Sequence, residues 1–393
     1  DRSLDGDKAG SAITSDTTWK ARRAQVPADA SAWGLVRIDR LKALDPKKFQ
    51  VPHQPNPGAT FLFGHWLEAL RQAPWLAASV TWTADRMRAE IALPTPASGY
   101  SDEWKKFLPP AESGGAAVAP HPPGTIACLS LWRDLAAIWE VRADLFSPET
   151  VQNLTKLDSF AGQFFAGRDF GTGVLGSLAG DWRLVIAHQD YAAMNPVPDV
   201  KLPAFALVIN LKPGDDEFAQ RLKVAFQTFI GLANVGGAQS KAPPLMLGSE
   251  EYEGVSIATA RFMPPKDALP KDASVHQRHN FSPSAMQVGD HFVLSSSTGL
   301  ARSLAKTLKE PRKPTDVTLL AEVDPTELAK LVEVNKSRLV MQNMLQKGND
   351  KAAAEKEIGL LTSLLQYVGL ATLSAKDGAE AVQLHLNVSI PAR

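Results

Sequence analysis

Two histidines three apart, in His276-Gln277-Arg278-His279, are the first candidates for metal chemistry in this chain. They lie in a loop between prolines, whereas a protein zinc site draws on three or four convergent donors. The helical pair with an intervening glutamate that marks a zinc protease is missing. His276 and His279 therefore stand as candidate metal ligands against the reading of a solvated loop.

Other residues invite chemistry on weaker grounds. Gly171-Thr172-Gly173-Val174-Leu175-Gly176 meets the G-x-G-x-x-G pattern, with Asp190 further on. A dinucleotide site needs a strand before those glycines and a helix after them, because the helix N-terminus holds the pyrophosphate. Here a helical pattern precedes them and a strand follows closely, so a glycine-rich turn is expected and no cofactor. Glu250, Glu251 and Glu253 lack the alternation of a calcium loop and read as a charged turn. Asp215-Asp216-Glu217 suits the start of a helix, with acid-base work as the alternative. Ser295-Ser296-Ser297-Thr298 reads as a helix cap before an anion site. Cys128, the single cysteine, sits in an apolar run and reads as a buried inert thiol. All nine tryptophans fall between Trp19 and Trp182. Trp33, Trp82, Trp132 and Trp182 occupy strand-like runs and should pack, while Trp66, Trp75, Trp104 and Trp139 are the rings to inspect for a binding surface.

The elements that must position these residues follow from periodicity. Residues 204–211 form an apolar run bounded by Pro213-Gly214, and an apolar stripe at Phe218, Leu222, Ala225, Phe226, Phe229 and Leu232 follows at helical spacing. That is a strand feeding a helix that folds back on it. Strand, helix and hairpin occur in that order at 33–93 and at 317–390, which suggests a duplication. Gly289-Asp290 between two short alternating runs signals another hairpin. Val382, Leu384, Leu386 and Val388 alternate with Gln383, His385 and Asn387, so the last strand should have one wet face. Residues 94–124, rich in proline and glycine, read as a flexible spacer. The fold class expected is α+β: antiparallel sheets built from strand-helix-hairpin units, with helices packed on one face.

Composition narrows the function. At 393 residues the chain exceeds the usual limit of one core, so two α+β regions are expected, 25–195 and 196–393, behind a polar tail at 1–24. Forty-two basic residues balance forty-two acidic ones without a basic block, which argues against nucleic acid as a partner. No apolar run reaches the roughly eighteen residues of a transmembrane helix. The first residue is not methionine and the opening is polar, so removal of an export signal is expected.

Four short motifs carry a resemblance: Pro27-Ala28-Asp29-Ala30, Leu178-Ala179-Gly180-Asp181-Trp182, Tyr252-Glu253-Gly254-Val255-Ser256-Ile257, and Val288-Gly289-Asp290-His291-Phe292-Val293-Leu294. With them the chain resembles a family of exported bacterial proteins defined by a domain of unknown function. The resemblance implies an extracytoplasmic location, periplasmic or secreted, and brings no catalytic residues. The expectation is a non-enzymatic binding or structural protein whose partner is a protein or an apolar small molecule. Its alternatives are a lipid or lipoprotein carrier with an apolar cavity between sheet and helices, and a hydrolase or metal-dependent enzyme whose site is assembled from distant residues.

Overall fold

The computed structural model describes residues 17–46, 56–97, 99–110, 113–165, 167–239, 243–263, 275–310 and 313–391. Most of the expected tail at 1–24, and parts of the proline-rich stretches 45–58 and 264–283, lie outside them. The strands are β1 (Ala32–Val36), β2 (Leu76–Trp82), β3 (Arg86–Pro94), β4 (Thr125–Trp132), β5 (Leu178–Ala187), β6 (Ala204–Leu211), β7 (Leu245–Tyr252), β8 (Val255–Phe262), β9 (Ser284–Val288), β10 (His291–Ser295), β11 (Leu319–Val323), β12 (Ala371–Asp377) and β13 (Ala381–Ser389). The helices are α1 (Thr17–Gln25), α2 (Ile38–Leu44), α3 (Pro57–Gln72), α4 (Asp102–Lys105), α5 (Leu135–Glu140), α6 (Arg142–Leu145), α7 (Pro148–Phe164), α8 (Asp216–Gln239), α9 (Thr298–Thr307), α10 (Pro325–Val334), α11 (Lys336–Lys347) and α12 (Lys351–Gln366).

The fold is α+β with an antiparallel sheet. All thirteen strands join in one sheet, in the order β1-β2-β3-β13-β12-β11-β4-β5-β6-β10-β9-β8-β7. The sheet crosses the boundary expected at 195/196, because β5 pairs with β6 and the C-terminal strands lie between β3 and β4.

Local chemistry sets the elements. Asp215 caps α8, its Oδ1 accepting the Phe218 N–H at 3.0 Å, and Asp324 caps α10 through the Thr326 and Glu327 amides, with Pro325 in the first turn. The β9–β10 hairpin turns at Gly289, whose φ of +56° suits glycine. Glu253 and Gly254 both take positive φ between β7 and β8. Strand β7 therefore occupies residues expected to be only a charged turn; its exposed, charged side chains hide it from hydrophobic patterning. At that sheet edge Asn234 of α8 bonds both backbone groups of Leu245, each at 2.8 Å, and blunts the strand end.

Helices stand on both faces of the sheet, not on one. Successive strand residues point to opposite faces. Phe292 packs with Phe218, Phe226 and Ile230 of α8. Its neighbour Val293 packs with Leu300, Ala301 and Leu304 of α9 on the reverse side. The α8 stripe is narrower than expected. Phe218, Leu222 and Phe226 face the sheet, but Phe229 and Leu232 are exposed and Ile230 takes the inner position.

The expected spacer at 94–124 is in part core. Tyr100, Trp104 and Phe107 pack beneath α3 with Ala69, Leu93 and Val382. Gly64 of α3 lets them in, since a Cβ there would lie 2.5 Å from the Trp104 ring. Its later part pairs with the stretch before β11, through Ala116 N–H to Val317 O at 2.7 Å.

Candidate functional site

The sequence-derived candidates disperse once placed. His276 turns its Nδ1 to the Arg278 N–H at 3.0 Å, closing a short helical turn. His279 lies against the Phe262 ring and lines an open cleft of ≈ 930 Å³ beside the start of α9. Burial, then the charges of Arg278 and His276, holds its pKa below the ordinary histidine value. Among the described residues no group of three or more His, Cys, Asp or Glu is placed to hold a metal ion. Ser297 caps α9 by accepting the Leu300 N–H, and Ser282 accepts the Thr298 N–H, so first-turn amides there are already bonded. Gly171 sits in a wide, π-helical turn against Trp139, where a Cβ would lie 2.5 Å from the indole. That close approach accounts for the glycine. Glu250 is held by Arg302 through two 2.6 Å bonds. Cys128 is buried, and burial followed by the Glu322 carboxylate pushes its thiol up to about 12, which keeps it protonated.

Two buried polar clusters escape sequence reading because their members are far apart in the chain. Under α3, His65 Nε2 lies 3.1 Å from Asp377 Oδ2, and Thr318 Oγ1 donates to the same oxygen at 3.1 Å. The Arg133 guanidinium next to them is fully buried. It donates to the carbonyls of Phe61 at 2.7 Å and Leu62 at 2.5 Å, where α3 breaks from helical geometry at Phe63 and frees them. Burial pulls the Arg133 pKa down to about 10 against the pull of Asp377. Burial opposes ionisation of Asp377 as well, but His65, Thr318 and Arg133 outweigh it and keep its pKa below the ordinary aspartate value. His65 is 1% exposed. The cluster thus fixes a kinked helix on the sheet and offers no path for substrate. On the reverse face Arg183 Nη2 donates to Asn210 Oδ1 at 2.5 Å and meets His291 Nδ1 at 3.1 Å, all three buried.

One surface open to a partner is an apolar band on the sheet. Strand register aligns side chains in rows across the eight strands β2, β3, β13, β12, β11, β4, β5 and β6. One row runs through Val80, Ala89, Leu386 and Leu373, then on through Ala321, Leu129, Leu184 and Leu207. The next row begins at Trp82, Met87, Val388 and Ala371 and continues through Val323, Ala127, Ile186 and Phe205. Both share the face carrying α3 and α8, but those helices seal residues such as Leu93, Val382 and Phe292, further along the strands. The inner row is only partly exposed throughout, and in the outer row three side chains stand well open. Trp82 is 61%, Phe205 49% and Val323 38% exposed. Trp82, expected to pack, is therefore an open ring, while Trp75 and Trp104, singled out for inspection, are buried.

This band is roughly 34 Å long at the usual spacing between strands, and its two rows are about 7 Å apart. Apart from the Trp82 indole its side chains offer no hydrogen-bonding group. Over β2, β3, β13, β12 and β11 the intervening residues on the reverse face are Thr81, Arg88, Asn387, Thr372 and Glu322. No helix among the described residues is long and apolar enough to cross a membrane. Comparison of the chain with protein-family models, curated proteins and solved structures found no match.

Proposed function

We propose that the protein is a non-enzymatic, extracytoplasmic carrier or binder of a lipid, whose hydrocarbon chain lies across the strands on the open apolar band. The observation that carries this reading is the pair of aligned apolar rows, left open over eight adjacent strands. Hydrocarbon needs no polar contacts, and each methylene taken out of water contributes about 0.8 kcal/mol. A protein partner of similar footprint would bring hydrogen-bonding groups, about one bond per 100–200 Å² of interface, and the band has almost nothing to answer them. The extracytoplasmic part of the proposal rests on the resemblance of four short motifs to a family of exported bacterial proteins.

An enzymatic reading has less support. The buried His65–Asp377 and Arg183–Asn210–His291 groups are sealed, and the thiol of Cys128 is protonated. The test is titration of delipidated protein with cis-parinaric acid, whose fluorescence rises in apolar surroundings, followed by competition with oleate. Saturable binding displaced by oleate is the expected result. No fluorescence change, together with native mass spectra free of lipid, removes the reading.

A further inference from the structure

We infer that the free edge of strand β7, with the cleft beside it, docks an extended segment of a protein partner that carries an acidic side chain. The site lies apart from the apolar band, and its test does not depend on lipid.

Strand β7 ends the sheet and pairs with β8 alone. The two-residue turn at Glu253-Gly254 makes Tyr252 and Val255 a hydrogen-bonded pair, so Met246, Gly248 and Glu250 also turn their backbone groups to β8. The alternate residues Leu245, Leu247, Ser249 and Glu251 turn theirs outward. Leu245 bears this out, because Asn234 takes both its N–H and its C=O at 2.8 Å. The backbone groups of Leu247, Ser249 and Glu251 meet no partner among the described residues, and all three residues are exposed. Three N–H and three C=O groups in line are what an added strand pairs with. The other edge differs: β1 has five residues against eight in β7, and Trp19 and Arg23 of α1 lie against its Trp33.

Two features beside the β7 edge give the partner its chemistry. On the α9 side Gly248 leaves a gap between the side chains of Met246 and Glu250, and this row lines the cleft of ≈ 930 Å³ together with Thr259 and Arg261 of β8. Glycine inside a strand marks a close approach by a ligand or another backbone. A Cβ at Gly248 would lie 3.2 Å from Thr259 Oγ1, so a side chain of an added strand finds its opening to the cleft there. The two arginines of the cleft are unlike. Arg302 is matched by Glu250, whereas the exposed Arg261 forms no ion pair among the described residues. A carboxylate on the incoming strand would pair with it, and the exposed Met246 and Met263 add adaptable apolar surface. A second copy of this chain fits less well. Antiparallel self-pairing about Ser249 sets Leu247 of each copy opposite Glu251 of the other, an apolar residue against a carboxylate.

The probe is a blocked, fluorescein-tagged heptapeptide with a central glutamate, a valine two residues to each side of it and threonine elsewhere. Anisotropy should show saturable binding, and hydrogen exchange should slow across residues 247–251. Wild-type protein that shows neither overturns the proposal. Ser249→Pro removes an outward donor and spares the β7–β8 bonds, since proline is tolerated on the free side of an edge strand. With an unchanged unfolding midpoint it should bind the peptide at least about tenfold more weakly, and wild-type affinity would overturn docking at the edge. Arg261→Gln, at an exposed position, should erase the preference for this peptide over one with a central lysine. A preference that survives would overturn the acidic assignment. Sedimentation that shows a dimer, lost in Ser249→Pro, would give the edge to a second copy and overturn the peptide reading.

Discussion

The two ends of the sheet differ in what they do with the same building material. At the β6-β10-β9-β8 end, α8 covers one face and α9 the other, and Val208, Val293, Phe292 and Ile257 are buried. Over β3, β13, β12 and β11 the strands are as apolar on one face, yet the two outer rows remain open. Apolar alternation alone therefore does not make a core; a helix has to be placed over it. Under the proposed function the uncovered rows are where a ligand would bind, and they should contribute less to stability than the covered strands.

The sharpest way to break that contrast is a pair of truncations. Phe292→Ala, in the sealed end, should lower unfolding free energy by about 3–5 kcal/mol. Leu386→Ala, in the inner row, should cost less, about 1–2 kcal/mol, because part of its surface is already in water. Denaturant unfolding measures both, and equal losses would mean that the band is core.

Arg133 marks the border between the covered and open parts of the first half. Arg133→Met removes the donors from the Phe61 and Leu62 carbonyls and the cation beside Asp377, and should cost about 3 kcal/mol. A loss within about 0.5 kcal/mol in the same unfolding assay would show that the α3 kink stands without it.

Asp377 adds a pH signature to this border. Its folded pKa is depressed, so its contribution is fully present above the ordinary aspartate range and is lost as pH falls through the folded value. The unfolding midpoint of the wild type should therefore drop from about pH 5 downward more steeply than that of Asp377→Asn. Parallel curves would assign acid sensitivity elsewhere.

Much of the scaffold is legible in the sequence because its signals are local. The strand 204–211 feeding α8 and the Gly289-Asp290 turn each sit within a few residues. The outward turn of Phe229 is less legible, since Ile230 next to it competes for the inner face and only the sheet decides between them. Helix α11 escapes notice for a related reason: its apolar residues are scattered among polar ones and it packs mainly on α12. The band is the least legible of all. Val80, Leu129, Leu207, Leu373 and Leu386 read as ordinary inward positions, and they become one surface only through a strand order that inserts the C-terminal hairpin between β3 and β4. Alternation in β13 reveals a two-sided strand, but not which side lacks a cover.

A pair of substitutions in the inner row tests function most directly. Leu373 and Leu386 are cross-strand partners in the middle of the inner open row. In the pair Leu373→Ser with Leu386→Ser, each hydroxyl sits on a surface already reached by water, so neither polar group is stranded as it would be in a core. The unfolding free energy should fall by about 2–4 kcal/mol, the sum of two partly buried truncations. Oleate should feel the change too: two apolar contacts in the centre of its path become polar, and affinity should fall at least about tenfold, equivalent to 1.4 kcal/mol. The matching pair on the reverse face, Thr372→Ala with Asn387→Ala, should leave oleate affinity unchanged. Equal losses from the two pairs would mean that the effect travels through the sheet as a whole, and the distinction between an open binding face and a polar reverse face would fall.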